Sequence, residues 1–249
     1  AVQLDGLSWP TADGSANQIL KTDGSGTLSW ATQSSGASNV NALSDALIED
    51  TGSMYIGNDP SSTTDEANYN LSIGTTALDA ITTGDGNAAL GYNSLTANTT
   101  GANNIALGYN TLAANTSGSN NLAVGYNSLA KQTDGGGFNT AIGNYTLDDN
   151  TSGDRNVAVG YVALANNSSG SYNVAVGTEA LMINSGSNNT ALGNDAGDGV
   201  TSGTQNVFLG AGTDPSANDG TNQTVIGYNA TGVANNSVTI GNSSVTAWY

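Results

Sequence analysis

From residue 52 to residue 241 the hydrophobic positions fall into bursts of three, separated by longer polar stretches, and each burst closes on a glycine. These are Gly57, Gly74, Gly91, Gly108, Gly125, Gly143, Gly160, Gly177, Gly193, Gly210, Gly227 and Gly241. They lie 17 residues apart, with one step of 18, one of 16 and a last of 14. A fixed period of this length is an internal repeat, and it decides the fold class before any single residue does. One residue before the glycine stands an aliphatic side chain, as in Ile73, Leu90, Leu107, Val124, Ile142 and Val159. Another usually stands three before, as in Leu71, Ile105, Leu122, Val157, Val174 and Val207. Strand alternation puts both positions on one face, which is expected to be the core. Between them runs a row of alanines: Ala89, Ala106, Ala123, Ala141, Ala158, Ala175 and Ala191. A solvated strand face carries Thr, Lys or Glu instead, so the alanine row is expected to point outward against a partner surface.

Asparagine occupies the position four before the glycine in nine consecutive units: Asn70, Asn87, Asn104, Asn121, Asn139, Asn156, Asn173, Asn189 and Asn206. Stacked units would make these a ladder of amides bonded along the axis. The glycines from Gly74 through Gly91, Gly108, Gly125, Gly143, Gly160, Gly177 and Gly193 to Gly210 are read as its corners. Leucine recurs four residues after the corner, at Leu78, Leu95, Leu112, Leu129, Leu147, Leu164 and Leu181, and predicts a second short strand. Ten residues after the corner comes a second glycine, at Gly84, Gly101, Gly118, Gly135, Gly153, Gly170, Gly203 and Gly220, in "NTSG"-like turn chemistry.

Each unit is thus predicted as strand, corner, strand and return turn. Such a unit is too short to fold alone, whereas stacked copies pair in parallel with their neighbours. The expected fold is all-β: a parallel β-roll or solenoid of about twelve 17-residue repeats, a rod of roughly 50 Å at about 4.8 Å per step. The predicted organisation is a hairpin-like module over 1–35, with "DGSG" as its turn and Trp9 and Trp30 as packing anchors. A linker or cap occupies 36–51, in which "NALSDALIED" is a short helix or a bridging strand. The roll spans 52–241, and 242–249 form a C-terminal cap, with Val245, Trp248 and Tyr249 closing an assembly or leading into a further segment.

Composition narrows the function. Only 9% of the 249 residues are charged, and 20 acids against the three cations Lys21, Lys131 and Arg155 give a formal net charge of -17. That balance repels nucleic acid and anionic membranes. The chain has neither cysteine nor histidine, which removes thiolate nucleophiles, disulfides, the usual zinc ligands and the near-neutral proton shuttle. No apolar run approaches the roughly 20 residues of a membrane-spanning helix, so membrane insertion is not expected.

The units "NNIALGYNTL", "NNLAVGYNSL", "NVAVGYVAL" and "NSVTIGNSS" resemble the head repeats of YadA-type trimeric autotransporter adhesins. They resemble more closely the repeat regions of bacteriophage tail fibres, particularly those of marine phages such as cyanophages. "SWPTADGSANQILKTDGSGTLSW" is similar to a segment found ahead of such repeats in phage fibres. The resemblance implies a left-handed roll assembled as an intertwined or side-by-side homotrimer. It further implies a virion location in an extracellular tail fibre, and contacts with other tail proteins. The host partner it implies is a bacterial surface polysaccharide or an outer-membrane receptor. Autotransporter heads repeat at a shorter unit and continue into a coiled-coil stalk and membrane anchor, so the 17-residue unit favours the phage reading. Phage fibres with similar endings often continue into a trimerising chaperone that is cleaved off, and the end at Tyr249 is read as that of a released mature product or as a trimmed end. A bacterial trimeric adhesin is the alternative. An ice-binding solenoid would need regular outward Thr-x-Thr arrays.

Enzymatic chemistry ranks last. Asp148 with Asp149, or Asp195 with Asp198, are neighbouring acids that would suit a two-carboxylate glycosidase, and acids in turns more simply keep a rod soluble. No catalytic residue, cofactor or metal is assigned: Asp134, Asp214 and Asp219 sit in oxygen-rich turns but lack a calcium-binding repeat pattern. Tyr92, Tyr109, Tyr126, Tyr161 and Tyr228 come directly after the corner glycine, either covering the corner or forming a sugar-stacking stripe. Receptor contacts are expected instead where the register breaks, in 58–70, 131–140 and 212–223. Asp59, Asp65, Asp134, Phe138, Asp214 and Asp219 are the candidates, with Pro60 and Pro215 marking the breaks.

Overall fold

A computed structural model of the chain describes residues 3–4, 7–8, 10, 18–25, 27–32, 46–48, 52–57, 66–133 and 135–246. The chain divides into two units, Ala1–Ser44 and Asp45–Tyr249. In the first, β1 (Gln3–Leu4) pairs antiparallel with β2 (Leu7–Ser8), and β3 (Gln18–Thr22) with β4 (Leu28–Thr32). The β3–β4 turn is closed by Asp23, whose Oδ1 accepts from the amides of Ser25 at 2.8 Å and Thr27 at 3.0 Å. Those amides favour the carboxylate and hold the Asp23 pKa below its ordinary value. Trp30 lies in β4 opposite Leu20, and Trp9 falls outside the described residues.

The second unit is a β-solenoid. β5 (Ala46–Ile48) pairs antiparallel with β6 (Met54–Ile56), so this part of the predicted cap is a bridging strand and belongs to the second unit. From β6 onward every pairing is parallel and every step is one turn: β7 (Leu71–Ile73), β8 (Ala88–Leu90), β9 (Ile105–Leu107), β10 (Leu122–Val124), β11 (Thr140–Ile142) and β12 (Val157–Val159). The sheet continues through β13 (Val174–Val176), β14 (Thr190–Leu192), β15 (Val207–Leu209), β16 (Gln223–Ile226) and β17 (Ser237–Ile240). The register pairs equivalent residues, Ala106 with Ala123 and Ala123 with Ala141, so like side chains stack in columns.

Two expectations fail. Among the described residues no second strand forms after the corner. The leucine column sits in left-handed backbone, at φ 51° for Leu95 and 49° for Leu112, which breaks an extended run. Turn-to-turn pairing continues there without a strand: the Leu95 amide donates to the Thr111 carbonyl at 3.0 Å and the Leu112 amide to Ser128 at 3.1 Å. Left-handed backbone costs roughly 1–2 kcal/mol for such a residue, and full burial of the leucine side chain returns about 1.5–3 kcal/mol.

The second failure is the facing of the strands. The alanine row points inward and is fully buried from Ala89 to Ala191, together with the leucine column from Leu78 to Leu181. The aliphatic positions on either side of the alanine point outward: Ile105 is 49% exposed and Leu107 46%. The cause is the width of the coil. A turn of 17 residues encloses a slot that the leucines fill from one wall, and only a methyl group fits on the strand opposite. Where a larger side chain enters the alanine row, space is made for it: Phe208 is fully buried, and the leucine column holds Gly197 there. A Cβ on Gly197 would lie 2.7 Å from the Phe208 ring.

Candidate functional site

The polar interior holds the stack in register. Asn70 Oδ1 accepts from the Asn87 amide N–H at 2.8 Å and from its side-chain Nδ2 at 3.1 Å. Asn87 Nδ2 also donates to the Gly101 carbonyl at 2.9 Å, tying the strand to the return turn. The backbone link repeats through Asn104, Asn121, Asn139, Asn156, Asn173, Asn189 and Asn206, and Gln223 takes it over at 2.9 Å. All of these side chains are buried, and an amide is the shortest group that both accepts from the next turn and donates to its own.

A second buried column was hidden in the "NTSG" stretches, whose asparagines read as turn residues. Asn98, Asn115, Asn150, Asn167 and Asn184 point inward, with Asn115 Nδ2 donating to Asn98 Oδ1 at 2.9 Å and to the Gly118 carbonyl at 3.0 Å. In the 18-residue turn Gln132 stands in the column, accepting from Asn139 at 3.1 Å and Asn150 at 3.3 Å and donating to Gly136. Gly136 replaces Gly135 as the return-turn acceptor; Gly135 lies at φ 81° beside the insertion. Replacing Asn104 with alanine would leave the Asn121 amide without its buried acceptor and take from the Gly118 carbonyl one of its two side-chain donors. A loss on the order of 3 kcal/mol is expected, read as a lower urea midpoint, against no change for an exposed asparagine such as Asn166.

Three surfaces face outward. The first is the strand face, with Leu71, Ile73, Leu90, Ile105, Leu107, Leu122, Val124, Ile142 and their successors in two columns, interrupted by Ala88, Thr140, Thr190 and Thr224. None of these residues is buried, and none of the outward positions of β7 to β15 carries a charge. The second is the tyrosine column at the corner. Tyr92 stacks on Tyr109 at 5.3 Å and Tyr109 on Tyr126 at 5.1 Å, while Tyr145 meets Tyr126 and Tyr161 edge to face. Tyr92, Tyr109 and Tyr126 cover one another's faces, which at these turns favours corner cover over sugar stacking, while Tyr228 is 70% exposed.

The third surface is the turn five residues before the corner. It is left-handed in every described unit and is held most often by asparagine, at Asn103, Asn120, Asn188, Asn222 and Asn236. Asparagine suits that backbone; bulky residues do not. Yet three consecutive turns carry Phe138, Arg155 and Tyr172 there, at φ 59°, 55° and 60°. The Arg155 guanidinium lies 5.3 Å from the Phe138 ring centroid and 5.4 Å from that of Tyr172. It also donates to Tyr172 Oη at 3.1 Å and pairs with Asp154.

Neither a family model, a curated protein sequence nor a solved structure matches this chain.

Of the residues expected to make contacts in register breaks, Asp59, Asp65 and Asp134 lie outside the described residues, as do Pro60, Trp248 and Tyr249. Phe138 belongs to the column just described. Asp214 forms an isolated parallel bridge with Thr231, and its Oδ1 accepts from the Gly199 amide at 3.1 Å; Asp219 is exposed. In both neighbouring-acid pairs a third charged residue takes part, and partial burial first of all pushes the Asp148 pKa above its ordinary value, with Lys131 lowering it and Asp149 raising it. Asp149 engages Lys131, and Asp198 interacts with Asp214 from the next turn. Among the described residues no three carboxylates gather as metal ligands.

Partial burial, then the neighbouring Asp214 charge, push the Asp198 pKa above its ordinary value. The folded chain therefore holds more protons than the unfolded chain between the ordinary carboxylate pKa and the raised one, and stability falls as pH rises through that window. Asp198→Asn removes the penalty: its thermal midpoint at pH 7 is expected above wild type, the gap closing as pH falls to about 4, where the unfolded carboxyl also protonates.

Proposed function

We propose that this chain is a structural and adhesive rod, a segment of a bacteriophage tail fibre that works as a homotrimer and attaches a virion to its host surface. The observation that carries the reading is the outward strand face. Two largely aliphatic columns run along twelve stacked strands, a strip of roughly 50 by 10 Å and on the order of 500 Å², at the upper end of what monomeric proteins leave uncovered. Burying it between copies removes that area from water and protects the sheet. Further copies are the occupant that fits, because the strip is regular over its whole length and only an equally regular surface covers it without gaps. The 17-residue repeats and their resemblance to phage fibres supply the biological setting. Three identical chains would raise weak contacts to useful avidity. A bacterial trimeric adhesin head uses the same architecture and is told apart by the sequence that adjoins the roll.

The test is a pair of lysines on the strip. Leu107→Lys with Val159→Lys leaves both alanines of β9 and β12 in place, so the solenoid is expected to keep its β-sheet circular dichroism while the solution mass drops to one chain. An unchanged mass for this variant and for wild type alike would remove the strip from the interface.

A further inference from the structure

We propose that Phe138, Arg155 and Tyr172 form a binding site for an anionic saccharide polymer, its carboxylate or phosphate group seated on the Arg155 guanidinium. The inference deepens the attachment reading above, on which it rests, by naming the ligand chemistry and the place on the rod. Three features carry it. The side chains occupy left-handed turns that asparagine fills in the units on either side, so the fold itself does not call for them. They are displayed rather than packed away: Phe138 is 57% and Tyr172 51% exposed. The guanidinium is also oriented in advance, held between two rings with one terminal nitrogen fixed by Asp154 and Tyr172.

Among the described residues its Nε and second terminal nitrogen make no hydrogen bond, and a planar pair of N–H donors matches a carboxylate or phosphate edge. Among those residues, too, neither ring has another aromatic against its far face, which leaves apolar surface for the C–H face of a sugar on either side of the charge. No cavity among the described residues encloses a small molecule, so the site suits an extended polymer lying along the row of left-handed turns. In a chain of net charge -17, one ordered cation between two rings is a local exception to the field around it.

The probes are polygalacturonate for the carboxylate, phosphomannan for the phosphate and fully methyl-esterified polygalacturonate as the neutral arm. Binding is measured by calorimetry on the full chain over a series of ionic strengths, because salt screens the repulsion from the net charge as well as the exposed contact. The expected result is binding of at least one anionic polymer, weakened tenfold or more by Arg155→Asn and by esterification and unchanged by Lys131→Gln, which removes the same charge elsewhere. Asparagine is the residue that Asn120 and Asn188 supply at this position in nearby turns, so the variant keeps its fold. Phe138→Asn and Tyr172→Asn should each weaken binding without abolishing it. Absence of binding to both anionic polymers would overturn the proposal, as would equal effects of Arg155→Asn and Lys131→Gln. A lowered thermal midpoint for Arg155→Asn with binding intact would also overturn it, making the stack a clamp on the turn. The solution mass of the same preparation separates this from the fibre reading. A trimer that binds neither polymer sinks the site and leaves the fibre, whereas a monomer that binds through Arg155 does the reverse.

Discussion

Gly125→Ala is expected to disrupt the solenoid at its centre, while Gly135→Ala, ten residues away, is tolerated. A Cβ on Gly125 would stand 2.3 Å from the Gly143 carbonyl oxygen and 2.6 Å from its carbon. Both are backbone atoms of the next turn, fixed by the parallel ladder, so neither can move aside without opening it. The backbone at Gly125 also lies at φ 129°, which a side chain rarely adopts. Conformational strain alone costs on the order of 1–3 kcal/mol, and with the clash the total is expected to reach about 4 kcal/mol or more. Gly135 has φ 81° and open space around its would-be Cβ, so strain alone applies, about 1–2 kcal/mol. Urea unfolding of the two variants side by side checks this. Equal midpoints would mean that turns do not approach one another as closely as the corner requires. In a stack whose turns contact only their neighbours, the Gly125 variant should also unfold in two steps.

The second large effect is at Phe208. Truncation to alanine empties the space that Gly197 leaves in the leucine column, and a loss of about 3–5 kcal/mol is expected. Gly197→Leu alone drives a side chain into the Phe208 ring, an overpacking cost of about 1–3 kcal/mol. Together the two changes restore the alanine and leucine found at these positions in most other turns. Gly197 already has the left-handed backbone of that column, φ 66° against 51° for Leu95. The double variant is therefore expected to lose clearly less than the sum of the two single losses, with a favourable coupling of up to about 3 kcal/mol. Additive losses would show that Phe208 and Gly197 are not one packing unit.

The period, the strand positions and the corner glycines were legible in the sequence because each depends only on translation from one turn to the next. Facing was not. Alternation divides Ile105, Ala106 and Leu107 into two sides but is silent on which side the coil closes over, and choosing the larger side chains for the core overlooked how little room one turn encloses. The leucine column was legible as a recurring position, which predicts a second strand; its left-handed backbone was not legible, since nothing in a leucine advertises positive φ. Phe208 and Gly197 fall where the alanine row and the leucine column would continue, and that they answer one another needs the register between turns. The asparagines of "NTSG" read as turn residues because the same residue suits an exposed turn and a buried ladder. Of the contact candidates, Phe138 came from a break in register. Arg155 and Tyr172 lie in regular units, and the only signal was their departure from asparagine at a position whose left-handed backbone the sequence does not display.

If further copies of the chain cover the outward aliphatic face, light scattering of the wild-type protein, with and without mild denaturant, should show it. A particle three times the 24.7 kDa of one chain that persists in the denaturant is expected. A stable, soluble particle of one chain would contradict it, because Ile105, Leu107 and their columns would then face water along the whole length of the rod.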